Sequence, residues 1–96
     1  MIDDLSIDLL KQDVVRANEK LSLTPKEFSL LRVLCEEPGK VFTRTQIAEQ
    51  IWGIHFDFDT NVIDVAIRRL RLKIDANHQT KLIKTKRGSG YFVDAS

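Results

Sequence analysis

At 96 residues the chain can close one modest hydrophobic core but not two, and its 43% hydrophobic and 30% charged content is ordinary for a soluble globular protein. A single cysteine, Cys35, excludes an internal disulfide and any multi-cysteine metal site and suits a reducing cytosol; no apolar run approaches the ~20 residues of a membrane helix, and the acidic start MIDDLSID is no signal peptide. The net charge of +1 hides an asymmetry, because residues 60–87 carry eight Lys and Arg against Asp64 and Asp75, whereas residues 1–59 carry seven basic and eleven acidic groups. A basic segment on an acidic scaffold is a footprint of phosphate-backbone binding and, equally, a description of a solvated charged face.

The first part of the chain reads as short strands. Leu5, Ile7 and Leu9 alternate, Val14 and Val15 sit between polar residues, and Leu21 and Leu23 alternate again. Lys11-Gln12-Asp13 and Ala17-Asn18-Glu19 supply turns, so the spacing predicts an antiparallel meander of about three strands, with a fourth near Val41 and Phe42. Thr24 opens a helix as N-cap, with Pro25 at the first helical position and Glu27 completing a capping box. Phe28, Leu30, Leu31 and Leu34 form its buried face, with Cys35 beside them, and Pro38-Gly39 stops it. Thr43 and Gln46 repeat the capping box for a second helix with Ile47, Ala48, Ile51 and Trp52 inward, ended by Gly53. The loop GIHFDFD alternates Phe56 and Phe58 with Asp57 and Asp59, and Asp59 is the expected N-cap of a third helix starting at about Thr60. After a loop at 75–79, Leu82-Ile83-Lys84-Thr85 and Tyr91-Phe92-Val93 read as a hairpin around the tip Lys86-Arg87-Gly88-Ser89-Gly90. The fold class is α+β: an N-terminal antiparallel sheet of about four strands, three helices and a C-terminal hairpin.

The helix TNVIDVAIRRLRLKI, residues 60–74, has two faces. At roughly 100° per residue, Ile63, Ile67, Leu70 and Ile74 share a core stripe, while Asn61, Val65, Arg68, Arg69 and Leu72 project from nearly the opposite side. That second face has the chemistry to enter a major groove: arginine can fork onto guanine O6 and N7, and Val65 and the Ala66 methyl can meet thymine methyls. Arg71 and Lys73 lie nearer the flanks, where phosphate contact is the expectation. At the hairpin, the glycines let the backbone turn close to a ligand, Arg87 beside Gly88 could enter a minor groove, and Thr85 and Lys86 could hold phosphates. Two helices followed by a basic hairpin resemble a winged helix-turn-helix, in which the second helix of the pair lies in the major groove. Alternatives stay open: a winged helix whose helix-three face and Phe56/Phe58 loop bind protein, or a small enzyme. For the last there is no plausible catalytic set, since His55 and His78 are isolated in loops and no metal or cofactor is implied.

The strings LTPKEFSLLRVL (23–34), VFTRTQIAEQIWG (41–53), TNVIDVAIRRLRLKI (60–74) and LIKTKRGSGYFV (82–93), in this order, resemble the C-terminal effector domain of OmpR/PhoB-type response regulators over nearly the whole chain. The resemblance implies one winged-helix domain over residues 1–96 that binds double-stranded DNA, and tandem half-sites as a dimer. It implies that Val65, Arg69 and their neighbours read bases and that Arg87 meets the minor groove. It further implies that the loop of Gly53, Ile54, His55, Phe56, Asp57 and Phe58 can touch RNA polymerase in an activator. Nothing in the sequence resembles the family's phosphoacceptor receiver, so the resemblance also implies a domain of a longer cytoplasmic protein, paired through that receiver with a sensor histidine kinase.

Overall fold

Two capping boxes fix where the first two helices begin. The computed structural model describes residues 4–53, 61–76 and 78–94. Helix α1 runs Pro25–Glu36: Thr24 Oγ1 accepts from the Glu27 N–H at 3.2 Å, and Glu27 Oε1 accepts from the Thr24 N–H at 2.9 Å. Helix α2, Arg44–Ile51, repeats this with Thr43 and Gln46 at 3.1 and 2.9 Å. Each box satisfies two N–H groups that a helix start otherwise leaves open. Helix α2 ends at Trp52 and Gly53, whose φ of +66° is the left-handed conformation that suits glycine. Helix α3 spans Asn61–Ile74. Its expected N-cap, Asp59, lies outside the described residues, as does the loop from Ile54 to Phe58.

The N-terminal strands are β1 Leu5–Asp8, β2 Asp13–Arg16 and β3 Glu19–Leu21, antiparallel in the order β1-β2-β3. Leu9 does not continue the alternation inward. The strand stops at Asp8, whose Oδ1 accepts the N–H groups of Leu10 and Lys11 at 3.0 and 3.2 Å, so Leu9 and Leu10 stand exposed on the turn. The second turn falls on Ala17 and Asn18, both at positive φ as a two-residue hairpin loop requires, and Glu19 belongs to β3.

The hairpin is β4 Ile83–Lys86 paired with β5 Gly90–Val93. The expected fourth N-terminal strand near Val41 and Phe42 is instead a one-residue bridge from Phe42 to Tyr91 on the hairpin. The two residues exchange both backbone hydrogen bonds, at 2.8 and 3.0 Å, so the segment before α2 pairs with β5 and leaves the N-terminal sheet three-stranded among the described residues. This approach is possible because Gly90 has no side chain where the Phe42 carbonyl sits.

One core joins these parts: Leu5 and Val14 from the sheet, Phe28, Leu30, Leu31 and Leu34 from α1, Ile47 from α2, Ile63, Ile67, Leu70 and Ile74 from α3, and Leu82, Tyr91 and Val93 from the hairpin. The stripe on α3 is therefore the one its periodicity predicts. Cys35 packs against this core, and burial pushes its thiol up to about 12, which leaves it protonated and without nucleophilic character. Among the described residues no helix is long and apolar enough to cross a membrane.

Candidate nucleic-acid interface

With its stripe buried, α3 presents Val65, Arg68, Arg69 and Leu72 to solvent; Val65 is 45% and Leu72 64% exposed. Asn61 is exposed at the start of the helix. The four cations of α3 then divide. Arg71 donates from Nε to the Ile83 carbonyl at 3.1 Å and from a terminal nitrogen to Thr85 Oγ1, and its guanidinium lies 5.5 Å from the centre of the Tyr91 ring. Lys73 donates to Glu27 Oε1 at 2.6 Å. Both cations expected at the phosphate flanks are thus bonded within the protein. Arg68 and Arg69 are exposed and have no hydrogen-bond or ion-pair partner among the described residues. Ala66, expected beside thymine methyls, is half-buried and packs against the core. It lines a groove with Trp52, Val65 and Arg69, so its methyl is shared between core and surface.

The wing is held to this surface by a polar cluster that sequence reasoning missed. Asp64, one turn into α3, accepts from Arg44 Nε at 2.8 Å and from the Tyr91 hydroxyl. The Arg44 guanidinium lies 5.3 Å from the Tyr91 ring centre, and Arg71 also stacks on that ring. Arginine over a tyrosine face is favourable by about 0.5–1 kcal/mol at such partly exposed sites. The cluster ties α2, α3, β4 and β5 together. The available signal was a position: Asp64 lies on a flank of α3 between its core and reading faces, where a carboxylate has a use only if a neighbouring element supplies a cation.

The hydrogen bond from Tyr91 lowers the Asp64 carboxyl below its ordinary value of 3.8; burial works the other way, and Arg44 lowers it further. For Glu27, burial raises the carboxyl, but the hydrogen bonds from Lys73 and Thr24 outweigh it and leave the group below its ordinary 4.5. A carboxylate depressed in the folded state contributes stability that is present above its unfolded value and is lost as pH falls through its folded value. The domain should therefore lose stability progressively below about pH 4.5, a limb set by these starting values. Glu27→Gln should flatten part of that limb in urea titrations run from pH 6 to pH 2; an acid limb identical to the parent's would exclude the Lys73–Glu27 pair as a contributor.

At the wing tip, Ser89 N–H donates to the Lys86 carbonyl at 2.9 Å, closing a turn with Gly88 at φ +76° in its third position. That positive φ is what a type II turn asks of glycine. Arg87, at the second position, stands exposed at the tip, as do Lys86 and Thr85. The Thr85 oxygen accepts from Arg71, which leaves the hydroxyl hydrogen free to donate outward.

Residues 18–93 match the family described as "Transcriptional regulatory protein, C terminal". The chain is 46% identical over 93 residues to the transcriptional regulatory protein PcoR of Escherichia coli, a match covering 97% of this chain and 41% of PcoR. It superposes on DrrB, an OmpR/PhoB homologue from Thermotoga maritima, with a TM-score of 0.84 and 33% identity, covering 96% of this chain and 42% of DrrB. The chain belongs to the OmpR/PhoB-type response-regulator family. It corresponds to the C-terminal effector domain and spans about two-fifths of the length of PcoR. The DNA-binding domain of Klebsiella pneumoniae RstA, solved in complex with the RstA box, matches this effector domain with a TM-score of 0.89 and 29% identity over all of this chain and 96% of that one. The α+β winged helix read from the sequence is thus the effector-domain fold.

Proposed function

We propose that this effector domain binds double-stranded DNA sequence-specifically and regulates transcription as the output of a two-component response regulator. The observation that carries the reading is the division of cations along α3. Arg71 and Lys73 are bonded inside the protein, whereas Arg68 and Arg69 stand exposed and unpartnered beside exposed Val65. Two long unpaired guanidiniums beside an apolar contact are what a major-groove reader requires. In this reading Asn61, Val65, Arg68 and Arg69 face base edges, and Ala66 lies at the margin of that contact. Arg71 and Lys73 act by holding the surface in shape. Lys86, Thr85 and the backbone at Gly88 take phosphates, and Arg87 enters the minor groove.

The remaining roles follow the family. The domain serves as a dimer on tandem half-sites, the segment from Gly53 through Ile54, His55, Phe56 and Asp57 to Phe58 meets RNA polymerase in an activator, and a receiver elsewhere in the protein takes phosphate from a sensor kinase in the cytoplasm. No catalytic step is assigned to any residue.

A titration with random duplex DNA at low salt tests the core of the reading. Binding whose affinity falls steeply with salt is expected, because each phosphate neutralised contributes a slope of roughly −0.9 in log K against log salt. No binding at any salt would favour a protein-interaction surface instead. Arg87→Ala should weaken binding most on duplexes with A/T-rich flanks, whose narrow minor groove concentrates negative potential. Equal losses on A/T- and G/C-flanked duplexes would remove Arg87 from the minor groove.

A further inference from the structure

Arg16 lies on β2, in a three-stranded sheet at the opposite end of the sequence from the wing, yet only 1% of it is exposed. All three of its guanidinium nitrogens donate. Nε donates to Asp4 Oδ1 at 3.0 Å, one terminal nitrogen donates to the Ile74 carbonyl and to Asp75 Oδ1, both at 2.7 Å, and the other donates to the Thr80 carbonyl. Asp75 is 3% exposed and faces the wing with its remaining capacity. Its Oδ1 accepts the Leu82 N–H and its Oδ2 the Ile83 N–H, each at 3.0 Å. The Asp75 carbonyl accepts from Lys81 Nζ at 2.7 Å. One buried ion pair therefore joins the N-terminal sheet, the last carbonyl of α3 and the root of β4.

Such a pair is a weak device for stability, since replacing a buried ion pair by apolar residues is often neutral or stabilising. Its distinctive property is direction. A guanidinium is a rigid planar fork, and a carboxylate holding two successive backbone N–H groups fixes the path of the chain that carries them. Arg71 reaches the wing from the body of α3, at Ile83 and Thr85, and Tyr91 ties it to Asp64, while the Arg16–Asp75 pair joins the end of α3 to the successive N–H groups of Leu82 and Ile83 and ties both to the N-terminal sheet.

We propose that Arg16 and Asp75 are positioning residues: they set the angle at which the wing leaves the recognition helix, so that both DNA contacts meet one duplex at once. The N-terminal sheet thereby shapes DNA reading without touching DNA. The inference rests on the proposed function for its consequence on DNA, but the angle itself can be read without DNA.

Spin labels at Leu72→Cys and Ser89→Cys, in a Cys35→Ala background, report the distance from α3 to the wing tip. One narrow distribution is expected for the parent. Arg16→Lys keeps the charge but loses the fork, and Asp75→Asn sets an amide against two N–H donors. Both should broaden or shift the distribution while thermal unfolding stays cooperative. The double replacement Arg16→Met with Asp75→Leu, which leaves no buried charge, should fold and still broaden it. On unlabelled protein bound to DNA, these variants should lose minor-groove protection while major-groove protection persists, and their salt slope should become shallower by about one phosphate contact. An unchanged narrow distance in any folded variant overturns the proposal. A parent domain that protects no DNA would overturn the DNA reading, and the label distances would still decide whether the pair sets the angle.

Discussion

Gly90→Ala should be the most damaging small substitution in the domain. A β-carbon at residue 90 would lie 2.0 Å from the Phe42 carbonyl oxygen, 2.8 Å from its carbonyl carbon and 3.0 Å from the Thr43 α-carbon. All three are backbone atoms, so no side chain can rotate away. Relief requires opening the Phe42–Tyr91 bridge, whose two hydrogen bonds contribute about 0.5–1.5 kcal/mol each. Forcing extra volume into a packed region costs a further ~1–3 kcal/mol. The sum is about 2–6 kcal/mol, and in a domain of this size each kcal/mol moves the melting temperature by roughly 4–8 °C. Gly88→Ala supplies the control. It meets open space but sits at φ +76°, so only the left-handed penalty of about 1–2 kcal/mol applies. Urea unfolding of both variants checks this; a Gly90→Ala protein no less stable than Gly88→Ala would show that the bridge does not clamp the wing.

Arg69→Ala should produce the largest functional change at little cost in stability. The side chain is exposed and makes no bond within the described protein, so folding loses little. A lost bidentate contact to guanine is worth about 1–3 kcal/mol, which is roughly 5- to 150-fold in affinity for the preferred duplex. Random duplex should lose much less, since only one charge has gone. Arg69→Lys keeps that charge without the fork and should resemble Ala on the preferred duplex and the parent on random DNA. Arg71→Ala should behave in the opposite way, because that guanidinium braces Ile83, Thr85 and Tyr91: stability falls first, and binding follows. Competition binding at fixed salt separates the cases, and equal losses on both DNAs for Arg69→Ala would remove it from base reading.

Much of this was legible in the chain because local rules carried it. Both capping boxes, the glycine stops and the Ile63/Ile67/Leu70/Ile74 stripe depend on residues within a few positions of one another, and the structure forms them where expected. What escaped depends on partners far apart in sequence. Val41 and Phe42 looked like a strand for the N-terminal sheet, but their partner is Tyr91, reached through a gap that only Gly90 leaves. The alternation of Arg16 with Val14 places it on the inward face of β2, but the carboxylate that receives it lies 59 residues away. Lys73 is basic and on a flank, and its pairing with Glu27, 46 residues earlier, was not visible along the chain. Charge counted along the sequence overstates the cations available to a ligand. The structure subtracts those already bonded, and on α3 that leaves Arg68 and Arg69.

Selection of binding sites from random duplexes, followed by footprinting at base resolution, tests most directly whether this face reads bases. Enriched guanines should be protected at N7 in the major groove, flanked by A/T-rich minor-groove contacts and repeated in tandem, and the guanine preference should relax in Arg69→Ala. An unenriched pool bound with salt-sensitive affinity, or a preference untouched by Arg69→Ala and Arg68→Ala alike, would contradict base reading by α3.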